Sequence, residues 1–152
     1  MAKAAGIKNQ TMRLAMVVEW SLGSPLRFDW DGHKLVPRDP PWRAEWGLPP
    51  VNYGQIPGYF NPADKAELDA IWASREPIEV GTWLEGAVLG MIWLPDGDHK
   101  IILGEPDHLQ NLDLDGLWAW FECRGPRLVA PQEATIFIRS LPRLKDARAP
   151  GH

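Results

Sequence analysis

A single cysteine, Cys123, rules out an intrachain disulfide, so the stability of this chain has to come from a buried core. Long apolar runs are missing as well. None approaches the roughly 18 residues that a membrane-crossing helix needs, and no signal-peptide pattern is recognisable. These absences set the expectation of a reducing, cytoplasmic setting with no membrane role. Positive charge is in deficit: 16 Lys and Arg against 20 Asp and Glu leave a formal net charge of -4. Without a basic block the chain is not expected to bind nucleic acid, and any anion must be held by a few placed cations. The four histidines, His33, His99, His108 and His152, are dispersed and offer no zinc spacing. GxSxG, GxGxxG and P-loop patterns do not occur, which leaves serine-hydrolase, dinucleotide and P-loop chemistry without a basis.

Tryptophan and proline are abundant, nine and 15 respectively, and both are spread along the 152 residues. That pattern suggests many short elements and turns, with the indoles read as core and loop packing. The length is enough for one core that buries roughly 70% of the unfolded surface. No repeat, low-complexity segment or interior linker divides it. One domain is therefore expected over residues 11–145, with a frayed start at 1–10 and a tail at 146–152.

Strand patterns lead in the first two thirds. Met12 to Trp20 is apolar and partly β-branched, and Leu26 to Trp30 alternates so that Arg27 and Asp29 share a face. Asp31-Gly32 is a turn signal leading to a strand from Lys34 to Pro37. Pro40 to Pro50 reads as an irregular loop wedged by Trp42 and Trp46, ahead of Val51 to Gly54. Ala70 to Trp72, Thr82 to Leu94 and Lys100 to Leu103 are further strands, the second permitted to bend at Gly86 and Gly90, with a tight turn at Asp96-Gly97-Asp98. Helical periodicity begins at Asp107 and ends at Gly125-Pro126; a second helix is expected from Gln132 to Leu144, limited by Pro142. Strands followed by two helices argue for an α+β, mainly β fold, a small twisted barrel with the helices packed outside.

The chemically suggestive stretch is Asn61 to Asp69. Asp64, Glu67 and Asp69 fall just before an apolar run, a spacing that suits a hard cation and equally an acidic surface loop. The order of charged motifs around it resembles the soluble family I inorganic pyrophosphatases, over roughly Val17 to Pro106. Val17-Val18-Glu19, Ser24 to Asp29, Leu35-Val36-Pro37-Arg38 and Pro50-Val51-Asn52-Tyr53-Gly54 are similar to successive family elements. Asp64-Lys65-Ala66-Glu67-Leu68-Asp69 is similar to the signature Asp-x-Asp-(Pro or Glu)-apolar-Asp, and Asp96-Gly97-Asp98 with Lys100 to its second acidic turn.

The resemblance implies a five-stranded OB-like barrel, divalent-metal-dependent hydrolysis of pyrophosphate to two phosphates, and a homo-oligomer. It implies Glu19, Asp29, Asp64, Asp69, Asp96 and Asp98 as metal ligands and Arg27, Arg38, Tyr53, Lys100 and Arg124 as binders of pyrophosphate or another small phosphorylated anion. It implies Asp64, Glu67 and Tyr53 as catalytic groups. Oxygen-rich clusters of this kind favour Mg²⁺, with Mn²⁺ also suited. Two departures stand out: Ala66 replaces the central signature aspartate, and Phe121 to Gly125 offers only Arg124 where the family commonly has a Tyr-Lys pair. They motivate the alternative of a catalytically silent anion-binding or assembly module on the same fold.

Overall fold

Alternation of apolar residues makes Arg13–Trp20 the first strand, β1, with Leu14, Met16, Val17, Val18 and Trp20 buried. The computed structural model describes residues 11–144; the expectations for 1–10 and 146–152 lie outside them. A short separate hairpin follows, β2 (Phe28–Trp30) and β3 (Leu35–Pro37). Its turn is held by Asp31, whose side chain accepts from the His33 and Lys34 amides at 2.8 and 2.9 Å. The barrel then adds β4 (Asn52–Asn61), β5 (Ala66–Trp72), β6 (Trp83–Trp93) and β7 (Lys100–Gly104).

The strands run β1-β4-β5-β7-β6, and β6 pairs back onto β1, so the five close on themselves. Only β5 and β7 pair in parallel; the other contacts are antiparallel. A short strand, β8 (Arg127–Val129), extends the sheet from β6. Helix α1 (Leu114–Phe121) packs on one side with Leu117 and Phe121 against Ile71, Ile92 and Ile102. Helix α2 (Pro131–Arg139) packs on the other with Ala134 and Ile138 against Met16, Ile56 and Ile101. The mainly β, OB-like barrel with two outer helices is thus observed.

Several boundaries differ from the sequence reading, each for a local reason. Strand β4 extends through Gln55 to Asn61, where Pro57 and Gly58 hide the strand signal; the register shifts between Ile56 and Phe60, and Pro57 lies in that irregularity. Strand β5 begins at Ala66 instead of Ala70, which places Glu67 and Asp69 on a strand. Strand β2 begins at Phe28, since Leu26 is exposed. Helix α1 begins at Leu114, where Asp113 accepts from the Gly116 amide at 2.9 Å as the N-cap; a 3₁₀ turn precedes it. Helix α2 has Pro131 at its start and ends at Arg139, three residues before Pro142.

The Asn52-Tyr53-Gly54 element shows how the barrel carries a site. Asn52 is fully buried and its Oδ1 accepts from the Leu22 and Ile78 amides, both at 2.9 Å, while Nδ2 donates to the Glu76 carbonyl at 2.9 Å. One side chain therefore anchors two loops. Gly54 lies so close to β1 that a Cβ would overlap the Val17 carbonyl. Between them Tyr53 turns toward a cavity. Asn52→Ala should destabilise the protein by about 3 kcal/mol, because two buried amides lose their acceptor; urea unfolding checks this, and a loss below about 1 kcal/mol would mean that the loops are held otherwise.

Candidate active site

Two acidic turns meet at one end of the barrel because Asn61 ties them together. Its Nδ2 donates to the Gly97 carbonyl at 3.0 Å, while its Oδ1 accepts from the Ala63 amide and its carbonyl from the Asp64 amide, both at 3.1 Å. The turn closes through Lys65 in a left-handed conformation, φ 55°. Asp64, Asp69 and Asp98 then each present a carboxylate oxygen, all within 4.8 Å of one another. Parallel pairing of β5 with β7 sets Asp69 opposite Lys100, which is buried. Its ammonium lies 2.7 Å from Asp69 Oδ2 and 3.0 Å from Asp98 Oδ2. Arg124, just after α1, reaches Asp96 Oδ2 at 3.0 Å and Asp98 Oδ2 at 3.2 Å.

The charges perturb one another in different directions. Burial pushes Asp69 up to about 7 against the pull of Lys100, with Asp98 adding to the rise. Burial and then the Asp98 charge raise Asp64. Burial also opposes ionisation of Asp98, but Lys100, a hydrogen bond shared with Asp69, and Arg124 together hold it below its ordinary value. Asp98 Oδ1 is buried without a hydrogen-bond partner among the described residues. Three converging carboxylates and one orphaned oxygen make an all-oxygen donor set suited to Mg²⁺ or Mn²⁺.

A cavity of about 340 Å³ opens beside this cluster. Asp69, Lys100 and Arg124 form its charged end, and Glu19, Arg27 and Tyr53 contribute to the walls. Glu19 is fixed through Oε2, which accepts from the Trp30 amide at 2.7 Å and Gln55 Nε2 at 2.9 Å; burial raises its pKa. Gln55 was not singled out from the sequence, because its partner is set only by the β1–β4 register. The Tyr53 hydroxyl is buried without a partner among the described residues, and burial pushes its pKa up. The Arg27 guanidinium stacks on Trp20, 4.3 Å from the ring centroid, and makes no ion pair among the described residues. Its pKa is lowered, first by burial and then by Arg38.

The remaining candidates sit elsewhere. Arg38 pairs with Asp29 in a two-pronged contact at 2.6 and 3.2 Å, in a cleft that adjoins the cavity through Arg27. Asp96 is exposed, paired to Arg124, and its Oδ1 accepts from the Asp98 amide at 3.0 Å. Glu67 is outside the three-carboxylate cluster and accepts from the Gly58 amide at 2.8 Å, bracing the irregular part of β4. Ala66 is exposed at the start of β5, opposite Asn61. The cavity also has walls that the sequence reading had assigned to packing: Trp20, Trp42, Trp46 and Trp120. Trp42 and Trp46 share a loop with Arg38 and Arg43, the one local hint that they belong to a site.

A raised pKa at Asp69 means that the folded state keeps this proton where the unfolded chain has lost it. Asp69 therefore makes stability fall as pH rises from about 4 to about 7, and adds no further slope above that. With a chelator present, Asp69→Asn should gain on wild type by about 1 to 3 kcal/mol between pH 5 and pH 8 in urea unfolding. A constant difference would show that Lys100 keeps Asp69 ionised throughout.

No protein-family model matches the sequence, and no curated protein matches it. Solved structures do. An inorganic pyrophosphatase from Coxiella burnetii superposes with a TM-score of 0.73 at 14% identity, over 88% of this chain and 95% of that one. One from Ehrlichia chaffeensis gives 0.68 at 20% identity, covering 84% and 92%. One from Neisseria gonorrhoeae gives 0.65 at 23%, covering 84% and 88%. The likeness spans most of this chain and of each of those structures. This chain has the fold of the soluble inorganic pyrophosphatases.

Proposed function

We propose that this protein is a divalent-metal-assisted phosphohydrolase acting on pyrophosphate or another small phosphorylated anion. The observation that carries the reading is a cavity lined by Asp69, Lys100 and Arg124, with Asp69 shared between that lining and the Asp64, Asp69 and Asp98 carboxylate cluster. The shared fold supports it. Mg²⁺ is the preferred ion, with Mn²⁺ as a substitute, and Asp64, Asp69 and Asp98 would hold it. When bound, such an ion polarises a phosphoryl oxygen and lowers the pKa of water.

The chain's own groups supply the rest. Arg27, with no ion pair among the described residues, has donors for phosphate oxygens, and the Tyr53 hydroxyl, unpartnered among the same residues, donates to the same anion. Lys100 and Arg124 balance the carboxylates and stabilise the negative charge that develops on the departing phosphate. Arg38 is held by Asp29 beside Arg27 and serves the outer part of the ligand. Glu67 acts through the irregular part of β4, as a positioning residue.

A silent anion-binding module is favoured by the two departures, Ala66 and the Phe121 to Gly125 stretch that offers only Arg124; removing a proton acceptor from the signature alone costs roughly 10² to 10⁴ in rate. Phosphate release from Mg²⁺-pyrophosphate decides between them. The expected result is metal-dependent release by wild type, a fall of at least about 100-fold in Asp69→Asn, and a rise of about 100-fold or more in Ala66→Asp. Pyrophosphate binding by calorimetry without release in wild type or Ala66→Asp would establish the silent module. Absence of both binding and release would overturn the two readings together.

A further inference from the structure

The cavity's second wall is made of indoles, and a bare pyrophosphate gives them nothing to contact. Trp20 and Trp42 meet edge to face at 4.9 Å, Trp42 and Trp46 at 5.1 Å, and Trp20 and Trp120 at 5.7 Å. The wall is therefore continuous. Its position is set by backbone: the Trp42 indole donates to the Gly47 carbonyl at 2.8 Å, closing the loop over the 3₁₀ turn Ala44–Trp46. Trp46 at the end of the row is 53% exposed, and part of a large apolar ring is left facing solvent at a polar cleft.

The volume agrees with a ligand larger than two phosphates. The cavity of about 340 Å³ falls within the range of roughly 300 to 1,000 Å³ typical of organic-ligand sites. Beyond Trp42 and Trp46 a second cleft, of about 490 Å³, shares those two indoles and Arg27 and ends at Arg38. Space thus exists on both sides of the indole pair. Arg27 sits where the two halves join, stacked on Trp20, with its guanidinium donors unused among the described residues. Phosphate donors on one side and indoles on the other, with the Arg43 guanidinium 5.7 Å from the Trp46 ring centroid, match a molecule with a diphosphate at one end and a planar heteroaromatic ring at the other.

We propose that this site takes a nucleoside diphosphate, its phosphates at Arg27, Lys100 and Arg124 and its base stacked on Trp46 beside Trp42. The proposal rests on the reading of the charged end as a phosphate site and adds the class of the organic group. The row of indoles offers only N–H donors, and those of Trp20 and Trp42 are committed to the Ser24 and Gly47 carbonyls, so recognition is by stacking and purine and pyrimidine diphosphates are both accepted, the purine more tightly through its larger face.

Calorimetry on the full chain with Mg²⁺ tests this using ADP, UDP, methyl diphosphate, dimethylallyl diphosphate and pyrophosphate. Methyl diphosphate carries the same diphosphate monoester without a base, so electrostatics is matched. ADP is expected to bind at least about tenfold more tightly than methyl diphosphate, with quenching of tryptophan emission. Trp46→Ala should remove most of that ratio and Trp46→Phe should keep much of it. Equal affinity of ADP and methyl diphosphate overturns the inference, as does a ratio that survives Trp46→Ala or an aliphatic diphosphate that matches ADP. In these cases pyrophosphate binding still upholds the phosphate site. If no ligand binds, the phosphate reading falls as well.

Discussion

Lys100 is buried between two aspartates, and the arrangement of this end of the barrel depends on that contact. An ammonium out of water is costly unless its charge is met, and a carboxylate beside other carboxylates is costly unless a cation is near. Each group thus makes the other tolerable. Parallel pairing of β5 and β7 provides the geometry, because strands in register place Asp69 and Lys100 side by side on one face. Asp98 enters from the turn that precedes β7, and Arg124 from beyond α1 closes the arrangement outside. The charge of this small network is incompletely balanced, with Asp64 nearby and Asp98 Oδ1 unpartnered, and the deficit suits a divalent cation.

The barrel supplies a rigid frame for what is otherwise a set of loops. Asn52 holds two connections by its side chain, Gln55 and the Trp30 amide orient Glu19, and Asn61 joins the two acidic turns. These polar groups do not touch a ligand in the proposed reaction. Their role is to keep the charged side chains from relaxing toward solvent, which preserves a site that needs no reorganisation when an anion enters.

Much of the site was legible as residue types in order, and less as spatial company. Glu19, Arg27, Tyr53, Asp69, Lys100 and Arg124 do line one cavity; all but Asp69, which sits mid-strand in β5, lie near a strand end or a turn. Glu67 illustrates the limit. Its side chain is committed to the Gly58 amide, a contact created by an irregularity in β4 that Pro57 concealed. Asp29, Arg38 and Asp96 form ion pairs that spacing alone could not assign. The tryptophans were read as packing because an indole in a core and an indole on a cavity wall have the same sequence signature.

From the sequence alone came the mainly β class, the two helices after the strands, the acidic turns and the replacement at Ala66. These follow from local physics: alternation, turn residues and helix-breaking prolines act over a few residues. Tertiary structure decided which five strands close, that β4 runs through Pro57, which three carboxylates converge, and that four indoles face the cavity. Those outcomes depend on pairing between segments tens of residues apart, where register and burial determine which side of a strand or ring meets a charge, and no short stretch contains that information.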